Sequence, residues 1–305
     1  MKHWQAVAIF SIGAGFFGFT PIFAKLNFSA GYSISQLMAS QIIIAAAILW
    51  IIAFFKRKPF SIEKNQMLTL MLAGTLNGIT GIFYYTSMKH VPASIAIVLL
   101  FQFVWVGVIY EWILDKKKPA LPTLVSVMLT LIGVFFAANV LTGDFSRLPL
   151  IGITFGLLSA FSYAAFILVS GRVAIQVDPL LRAPLMISGS FVLVMAVFRP
   201  AFLFTEPLFQ SYWLYGLGGA LFGAVLPPLC FAISAPHLSS SLATILGSLE
   251  LPVAVIAASA ILSETVTWIQ WVGIVLILFA ISFNEIRLWV INDLKNKKGS
   301  ISDAD

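Results

Sequence analysis

Glu250 is the one charged residue in "LGSLELPVAV" (246–255), a stretch that is otherwise largely apolar. A charged side chain at the centre of a bilayer costs on the order of 3 kcal/mol, whereas each Leu, Ile or Val returns about 0.3 to 0.6 kcal/mol. The surrounding segment contains enough of these residues to insert into a membrane. Such a carboxylate can bind a cation, carry a proton or hold the amino group of a substrate. The alternative is a protonated glutamate that hydrogen-bonds to a neighbouring helix and stabilises the bundle.

The helical periodicity around Glu250 indicates which side of its helix the carboxylate occupies. Its own face carries small residues, namely Ala243, Gly247, Ala254 and Ala257. Small side chains permit close helix packing or leave room for a cavity. We therefore expect the carboxylate to face the interior of the protein and not lipid.

Further polar and aromatic residues are candidates for the same substrate-binding or coupling site. In the third apolar segment, four residues share one face at i, i+3, i+4 and i+7 spacing: Asn77, Thr80, Gly81 and Tyr84. The fourth and ninth segments add Gln102, Phe103, Trp105 and Thr244. An aromatic-lined cavity with few polar groups suits an amphiphilic organic solute. Ordinary packing between helices is the alternative interpretation of each residue.

The composition of the whole chain requires a membrane. Of the 305 residues, 60% are hydrophobic and only 10% are charged, and the mean hydropathy is +1.00. Soluble proteins have roughly 25% charged residues. A bilayer-spanning helix needs about 20 apolar residues, and ten segments qualify: 4–26, 34–55, 67–88, 94–114, 121–141, 149–171, 181–203, 212–234, 240–262 and 268–290. The predicted fold class is an all-α polytopic membrane protein with ten transmembrane helices.

The basic residues predict the orientation. Fourteen of the 18 Lys and Arg residues fall on the side of the membrane that also holds both termini, and four fall on the other side. The positive-inside rule therefore places both termini in the cytoplasm of a bacterial-type plasma (inner) membrane. This asymmetry explains the net charge of +6 without a nucleic-acid partner. The single cysteine, Cys230, excludes an intramolecular disulfide.

The sequence repeats itself with an offset of 147 residues. "HVPASIAIVLLFQFVWVGVI" (90–109) aligns with "HLSSSLATILGSLELPVAVI" (237–256). Five segments per unit is an odd number, so the second unit must be inverted. We predict a first five-helix repeat at 1–145, a second, inverted one at 146–291 and a polar cytoplasmic tail at 292–305. Inverted repeats are typical of secondary transporters, whose site lies near the membrane midplane.

Two corresponding Gly-rich segments, "GTLNGITG" (74–81) and "GGALFGAVLPPL" (218–229), predict helix breaks. Interrupted helices in corresponding positions of two repeats point to a transport site. The predicted breaks or hinges are Gly78, Gly81, Gly223, Pro227, Pro228 and Pro252. The same glycines also fit small-residue packing surfaces, and both interpretations can hold together.

These features resemble the EamA-type branch of the drug/metabolite transporter superfamily, over about residues 4–290. The resemblance is carried by "GFFGFTPIFAKL", by "YYTSMKHVPASIAIVLL" and above all by "APHLSSSLATILGSLELPVAVIAASAILSE". It puts Glu250 and Glu264 in the places of the family's ninth-helix and loop glutamates. Pro252 stands one residue later than the usual proline, and Ser40-Gln41 stands where many relatives carry an arginine. The resemblance implies transport of amino acids or other small metabolites, often outward, through a central cavity.

The leading hypothesis is therefore a secondary-active inner-membrane transporter that exports amino acids or related small metabolites by alternating access, with protons as a possible coupling ion. The alternatives are an importer of a cationic or quaternary-ammonium solute held by Glu250 in an aromatic cage of Phe103, Trp105 and Tyr84, and an uncoupled channel or lipid scramblase. An enzyme is disfavoured because HExxH and GxSxG motifs are absent from the sequence. No cofactor is predicted, and the absence of a P-loop motif leaves gradients or a partner as the energy source. The expected partners are a small-molecule substrate and the lipid bilayer.

Overall fold

The computed structural model describes residues 1–55, 62–116, 118–139, 148–205 and 210–284. These residues form helices and short connections. The ten main helices are α1 (His3–Ser29), α2 (Ile34–Phe55), α3 (Lys64–His90), α4 (Ala93–Asp115), α5 (Leu121–Ala137), α6 (Leu150–Ser170), α7 (Pro179–Phe198), α8 (Tyr212–His237), α9 (Ser240–Leu262) and α10 (Trp268–Asn284). A short helix, Phe202–Thr205, precedes α8.

The prediction of an all-helical membrane fold is confirmed. Eight of these helices are long and apolar enough to cross a membrane, whereas α5 and α10 are shorter. The predicted segment 121–141 ends early because Asn139 adopts a left-handed backbone (φ 52°), which ends a helix readily at asparagine. The predicted tail 292–305 and the final residues of the predicted tenth segment lie outside the described residues.

The helix packing has the same pattern in both halves of the chain. In the first half α3 packs on α6 and α7, and in the second half α8 packs on α1 and α2. The pairs α2 with α7 and α4 with α9 join equivalent helices. The glycines Gly133 of α5 and Gly273 of α10 also face each other, since a Cβ at Gly133 would lie 2.9 Å from the Gly273 carbonyl oxygen. Exchanging the two five-helix halves thus leaves the packing pattern unchanged, which supports a two-repeat fold.

Four of the ten helices are interrupted near their middle. The first, α1, breaks at Gly18-Phe19, because Pro21 has no N–H to continue the ladder. The breaks of α4 at Phe101-Gln102 and of α9 at Ser248-Leu249 are 147 positions apart, which is the repeat offset. In α9 the break is explained by Pro252, which cannot donate to the Ser248 carbonyl. Corresponding breaks in α4 and α9 therefore mark equivalent points of the two repeats.

The two Gly-rich segments behave differently from each other. In α8 the residues Ala220–Val225 form a π-helix, and Pro227 and Pro228 begin the α-helical segment that follows. In α3 the helix runs through Gly78 and Gly81 without interruption, so the predicted break there is corrected. Glycine keeps its backbone N–H, and a close helix contact outweighs its low helix propensity.

That close contact is the crossing of α3 and α7. A Cβ at Gly74 would overlap the Met186 carbonyl, and a Cβ at Gly189 would overlap the Met71 carbonyl. The two glycines therefore let the helix backbones touch. This is the packing role that the sequence also allowed for the Gly-rich segment.

Candidate functional site

A cavity lies at the centre of the bundle, among α1, α2, α3, α4, α6, α7, α8 and α9. It contains about 780 Å³ of space that protein atoms do not fill, a volume that includes open solvent. Its polar lining residues are Thr20, Gln41, Asn77, Thr80, Tyr84, Tyr85, Tyr163, Ser190 and Glu250. Among the lining residues, Glu250 is the one with a charged side chain. The cavity is therefore mostly apolar, with a single carboxylate.

Glu250 begins the second part of α9, directly after the break at Ser248-Leu249. Its side chain is partly buried and lines the cavity, where Tyr163 Oη donates a long hydrogen bond of 3.4 Å to Glu250 Oε2. A carboxylate at the first turn of a helix also lies near the positive end of the helix dipole. The helix break thus places the carboxylate at the wall of the cavity, away from lipid.

The polar face predicted for α3 lies on the cavity. Asn77, Thr80, Gly81 and Tyr84 all contribute to the lining, and so does Gly78. The hydroxyl of Thr80 donates to the Leu76 carbonyl of its own helix at 2.8 Å. Regular helix geometry through Gly78 and Gly81 keeps these residues on one side, so their spacing alone is enough to place them.

Four other candidate residues are placed elsewhere. Gln102 lies in the break of α4, where its Nε2 donates to the Val98 carbonyl (3.0 Å) and its Oε1 accepts from Trp105 Nε1 (2.8 Å). Phe103 is fully buried, with its ring edge-on to Tyr163 at 4.7 Å. Thr244 packs against Gly107, and its hydroxyl contacts the Val104 carbonyl at 3.3 Å. These residues hold α4 against its neighbours and do not line the central cavity.

The aromatic cage considered from the sequence is not formed by these side chains. Of its three members, only Tyr84 reaches the cavity, because the break in α4 turns Phe103 and Trp105 toward α6. The aromatic lining comes instead from Phe17, Tyr85 and Tyr163. Phe103, Trp105 and Tyr84 therefore do not form the aromatic cage on which the hypothesis of a quaternary-ammonium importer was based.

Sequence reasoning missed the cavity residues of α1, α2 and α6. Thr20, Gln41 and Tyr163 line the cavity. Gln41 was visible as the last polar residue before the apolar remainder of a 22-residue helix, although the sequence singled it out only as a departure from a family pattern. Thr20 could have been found from its position before Pro21, which predicts a helix interruption. Tyr163 has no comparable signal.

A larger vestibule adjoins the cavity at one end of the bundle. It holds about 1390 Å³ of unfilled space and shares Pro21 and Tyr84 with the cavity. Its wall is formed by the ends of α1, α3, α5 and α9 and by the starts of α4 and α10. At its rim, Lys25 of α1 forms an ion pair with Glu264, between α9 and α10. We call this end of the bundle the vestibule face and the opposite end, where α1 begins, the N-terminal face.

Aromatic side chains fill the bundle between the cavity and the N-terminal face. Phe10, Phe166 and Phe231 are each at most 1% exposed. The rings of Phe10 and Phe231 are stacked at 4.1 Å, and Phe166 lies 6.4 Å from Phe231 on one side and 6.4 Å from Tyr163 on the other. Phe10 lies seven residues before the cavity residue Phe17, about 10 Å along an α-helix. We refer to Phe10, Phe166 and Phe231 as the aromatic plug.

Polar contacts join the helices at the N-terminal face itself. Arg172, which follows α6, forms two hydrogen bonds of 2.7 Å with Asp115 at the end of α4. Glu111 Oε2 accepts from the backbone N–H of Ser241 in the first turn of α9 at 2.5 Å. The ends of α4 and α6 and the start of α9 are thus tied together on this side.

Among the described residues, no group of three or more His, Cys, Asp or Glu side chains is placed to hold a metal ion. The site that the structure does offer is a mostly apolar cavity with one carboxylate, at the centre of a helical bundle whose helices are interrupted around it. Such an arrangement is characteristic of membrane transporters of small molecules.

The family comparison agrees with this class. Residues 4–139 and 150–285 each match the EamA-like transporter family, so the chain belongs to that family. The protein is accordingly a multi-pass membrane transporter and not an enzyme.

Curated relatives are similar over most of their length. The chain is 25% identical to the threonine/homoserine exporter RhtA of Salmonella typhimurium (strain SL1344) over 240 residues, which cover 78% of this chain and 77% of that one. It is 28% identical to RhtA of Escherichia coli (strain K12) over 230 residues, or 74% of each chain. A crystal structure with 12% sequence identity superposes with a TM-score of 0.74 and covers 93% of this chain and 99% of the other. That similarity establishes the fold alone.

Proposed function

We propose that this protein is a secondary-active transporter of a bacterial inner membrane that exports amino acids or related small metabolites by alternating access. All ten helices would cross the membrane as two inverted repeats, 1–145 and 146–291, with both termini in the cytoplasm. The names of the relatives support export and point to threonine-like amino acids as substrates. The charge asymmetry of the sequence supports the orientation.

The observation that carries the proposal is the difference between the two sides of the cavity. The vestibule adjoins the cavity on one side and shares Pro21 and Tyr84 with it, while the aromatic plug and the polar contacts of the N-terminal face lie on the other side. With the proposed orientation, this is an outward-facing arrangement. Alternating access requires a second arrangement in which the opposite side is open. In this proposal α4 and α9 move to reach it, and the break in each helix lets its two parts move separately.

The lining of the cavity supports the class of substrate. A single carboxylate, without a cationic side chain among the lining residues, favours a solute with an ammonium group over an anionic solute. Apolar and tyrosine side chains fit the remainder of a small amino acid. In this proposal Asn77, Tyr84 and Glu250 contact the substrate, and Glu250 also carries a coupling proton when the substrate is absent.

The proposal is tested by counterflow in proteoliposomes that contain the purified protein. Vesicles are loaded with one unlabelled amino acid, and uptake of the labelled one is followed across a panel that includes threonine, serine, valine and a quaternary amine, with and without a pH gradient. Saturable exchange of amino acids that responds to the pH gradient supports the proposal. Exchange of the quaternary amine alone, or non-saturable flux of every solute, would contradict it.

A further inference from the structure

Thr20 and Gln41 form a small polar cluster on the cavity wall formed by α1, α2 and α8. Within the described part of the chain, Thr20 Oγ1 and Gln41 Oε1 are buried and have no hydrogen-bond partner. Both residues line the central cavity. A buried polar atom without a partner costs about 1 to 3 kcal/mol. These two atoms therefore have bonding capacity that the described part of the protein does not use.

The backbone of α8 fixes the position of this cluster. A Cβ at Gly219 would lie 2.9 Å from Gln41 Oε1, and a Cβ at Gly223 would lie 3.1 Å from Gln41 Nε2 and 3.0 Å from Thr20 Oγ1. The Gln41 amide thus lies along two glycines that are one turn apart, and the Thr20 hydroxyl adjoins the second. Gly223 belongs to the π-helix, a feature that occurs often at functional sites.

The two other aliphatic hydroxyls of the cavity lining are already engaged. Thr80 Oγ1 donates to the Leu76 carbonyl at 2.8 Å, and Ser190 Oγ donates to the Gly74 carbonyl at 2.6 Å. Their protons are therefore used within the bundle. This contrast distinguishes Thr20 from Thr80 and Ser190.

The chemistry of the unpartnered atoms selects the group that they can bind. Gln41 Oε1 is an acceptor, so it needs a donor, and a substrate carboxylate offers none. A substrate ammonium is a donor, but it is attracted to the one charged group of the cavity, Glu250. A hydroxyl group both donates and accepts, and so it can satisfy the Gln41 acceptor and the Thr20 hydroxyl together.

We propose that Thr20 and Gln41 are the specificity-determining pair of the transporter and hydrogen-bond a hydroxyl group on the side chain of the substrate. The inference rests on the proposed function and adds to it: the cavity favours hydroxylated amino acids over apolar ones of the same shape. Sites that hydrogen-bond a substrate hydroxyl can reject the analogue without it by as much as about 10⁴-fold, because the polar groups of the site are then left unpaired.

The test compares threonine with valine, which has the same shape and no hydroxyl. Counterflow rates are measured in proteoliposomes with wild type, Thr20→Val and Gln41→Leu, which keep side-chain volume and remove hydrogen bonding. The wild type is expected to prefer threonine, and each variant is expected to reduce the threonine-to-valine ratio by at least about tenfold, mainly through slower threonine transport. Thermal stabilisation of the detergent-solubilised proteins by threonine and by valine supplies a second readout that needs no transport.

Matched controls are Thr86→Val and Gln102→Leu, whose side chains bond to backbone carbonyls within α3 and α4. They should leave the ratio unchanged. If the wild type exchanges amino acids but does not distinguish threonine from valine, or if Thr20→Val and Gln41→Leu keep the wild-type ratio, the specificity inference is overturned while the proposed function stands. If the wild type exchanges no amino acid, the proposed function fails and the inference fails with it.

Discussion

The Arg172 guanidinium binds the Asp115 carboxylate through two parallel hydrogen bonds of 2.7 Å, and this pair ties α4 to the end of α6 at the N-terminal face. Both side chains are about one-third exposed (36% and 35%), and pairs in such positions contribute roughly 0.2 to 1 kcal/mol. Asp115→Asn should therefore raise the fraction of protein molecules that are open at the N-terminal face by up to about fivefold. The readout is labelling of Ser240→Cys, a position only 8% exposed in this structure, by an impermeant maleimide in a Cys230→Ser background.

The Lys25–Glu264 ion pair at the vestibule face supplies the matched control. Glu264→Gln removes an ion pair on the opposite side of the bundle, so it should not increase labelling at position 240. Equal or lower labelling in Asp115→Asn than in the parent protein would show that the Asp115–Arg172 pair does not hold this face closed.

Because Phe231 belongs to the aromatic plug, we expect Phe231→Ala to lower the thermal stability and to let threonine leak through the protein. The Phe231 side chain is fully buried between Phe10 and Phe166, and deleting such a ring costs about 3 to 5 kcal/mol. Thermal unfolding and the passive efflux of preloaded threonine from proteoliposomes are measured together. Phe279→Ala on α10, where the ring is 55% exposed, is the control and should change neither. If Phe231→Ala shows no passive efflux of threonine and exchanges threonine at the wild-type rate, the aromatic plug does not seal the cavity.

The crossing of α3 and α7 predicts that Gly74→Ala prevents normal folding. Its added Cβ would overlap the Met186 carbonyl, a backbone atom that cannot rotate away. Gly15→Ala is the matched control, since the nearest atom to its new Cβ, in Val253, is 3.6 Å away. The yield of monodisperse protein in detergent should fall severely for Gly74→Ala and stay unchanged for Gly15→Ala. Similar yields for both would contradict the close crossing.

Replacing Arg182 should lower the thermal stability of the protein and leave its substrate specificity unchanged. This arginine is 1% exposed and donates to the Ser170 carbonyl at 2.6 Å and to the Ala232 carbonyl at 2.8 Å, which joins α7 to α6 and α8. Arg182→Met removes both hydrogen bonds to a charged donor, each worth about 1.5 to 3 kcal/mol. Its thermal unfolding should occur well below that of Arg199→Met, an exposed position at the other end of α7. A variant as stable as the wild type would show that the contacts are dispensable.

The helices of this protein could be predicted from the sequence, because spanning a bilayer imposes a length and a composition that are easy to recognise. The predicted segments 34–55 and 240–262 coincide with α2 and α9. The interruptions were harder to predict. Proline explains the breaks in α1 and α9, but the break at Phe101-Gln102 contains no proline and stands out only as the repeat counterpart of the break in α9.

The part of the candidate site that lies on one face of a single helix could be predicted from the sequence. The i, i+3, i+4 and i+7 spacing of α3 placed Asn77 through Tyr84 on the cavity, and the insertion cost of a buried charge singled out Glu250. Gln102 and Trp105 were misjudged because the local break in α4 turns them toward each other. Thr20 and Gln41 come from other helices, and only the tertiary packing brings them to the same cavity.

Threonine counterflow by Glu250→Gln beside wild type tests directly whether the Glu250 cavity is the transport site. Glu63→Gln, an exposed carboxylate before α3, is the matched control and should behave as wild type. If the cavity is the transport site, Glu250→Gln remains folded, with wild-type thermal stability, and loses at least about tenfold in exchange rate and its response to a pH gradient. Wild-type exchange with reduced thermal stability would show instead that Glu250 holds α9 against α6 and takes no part in transport.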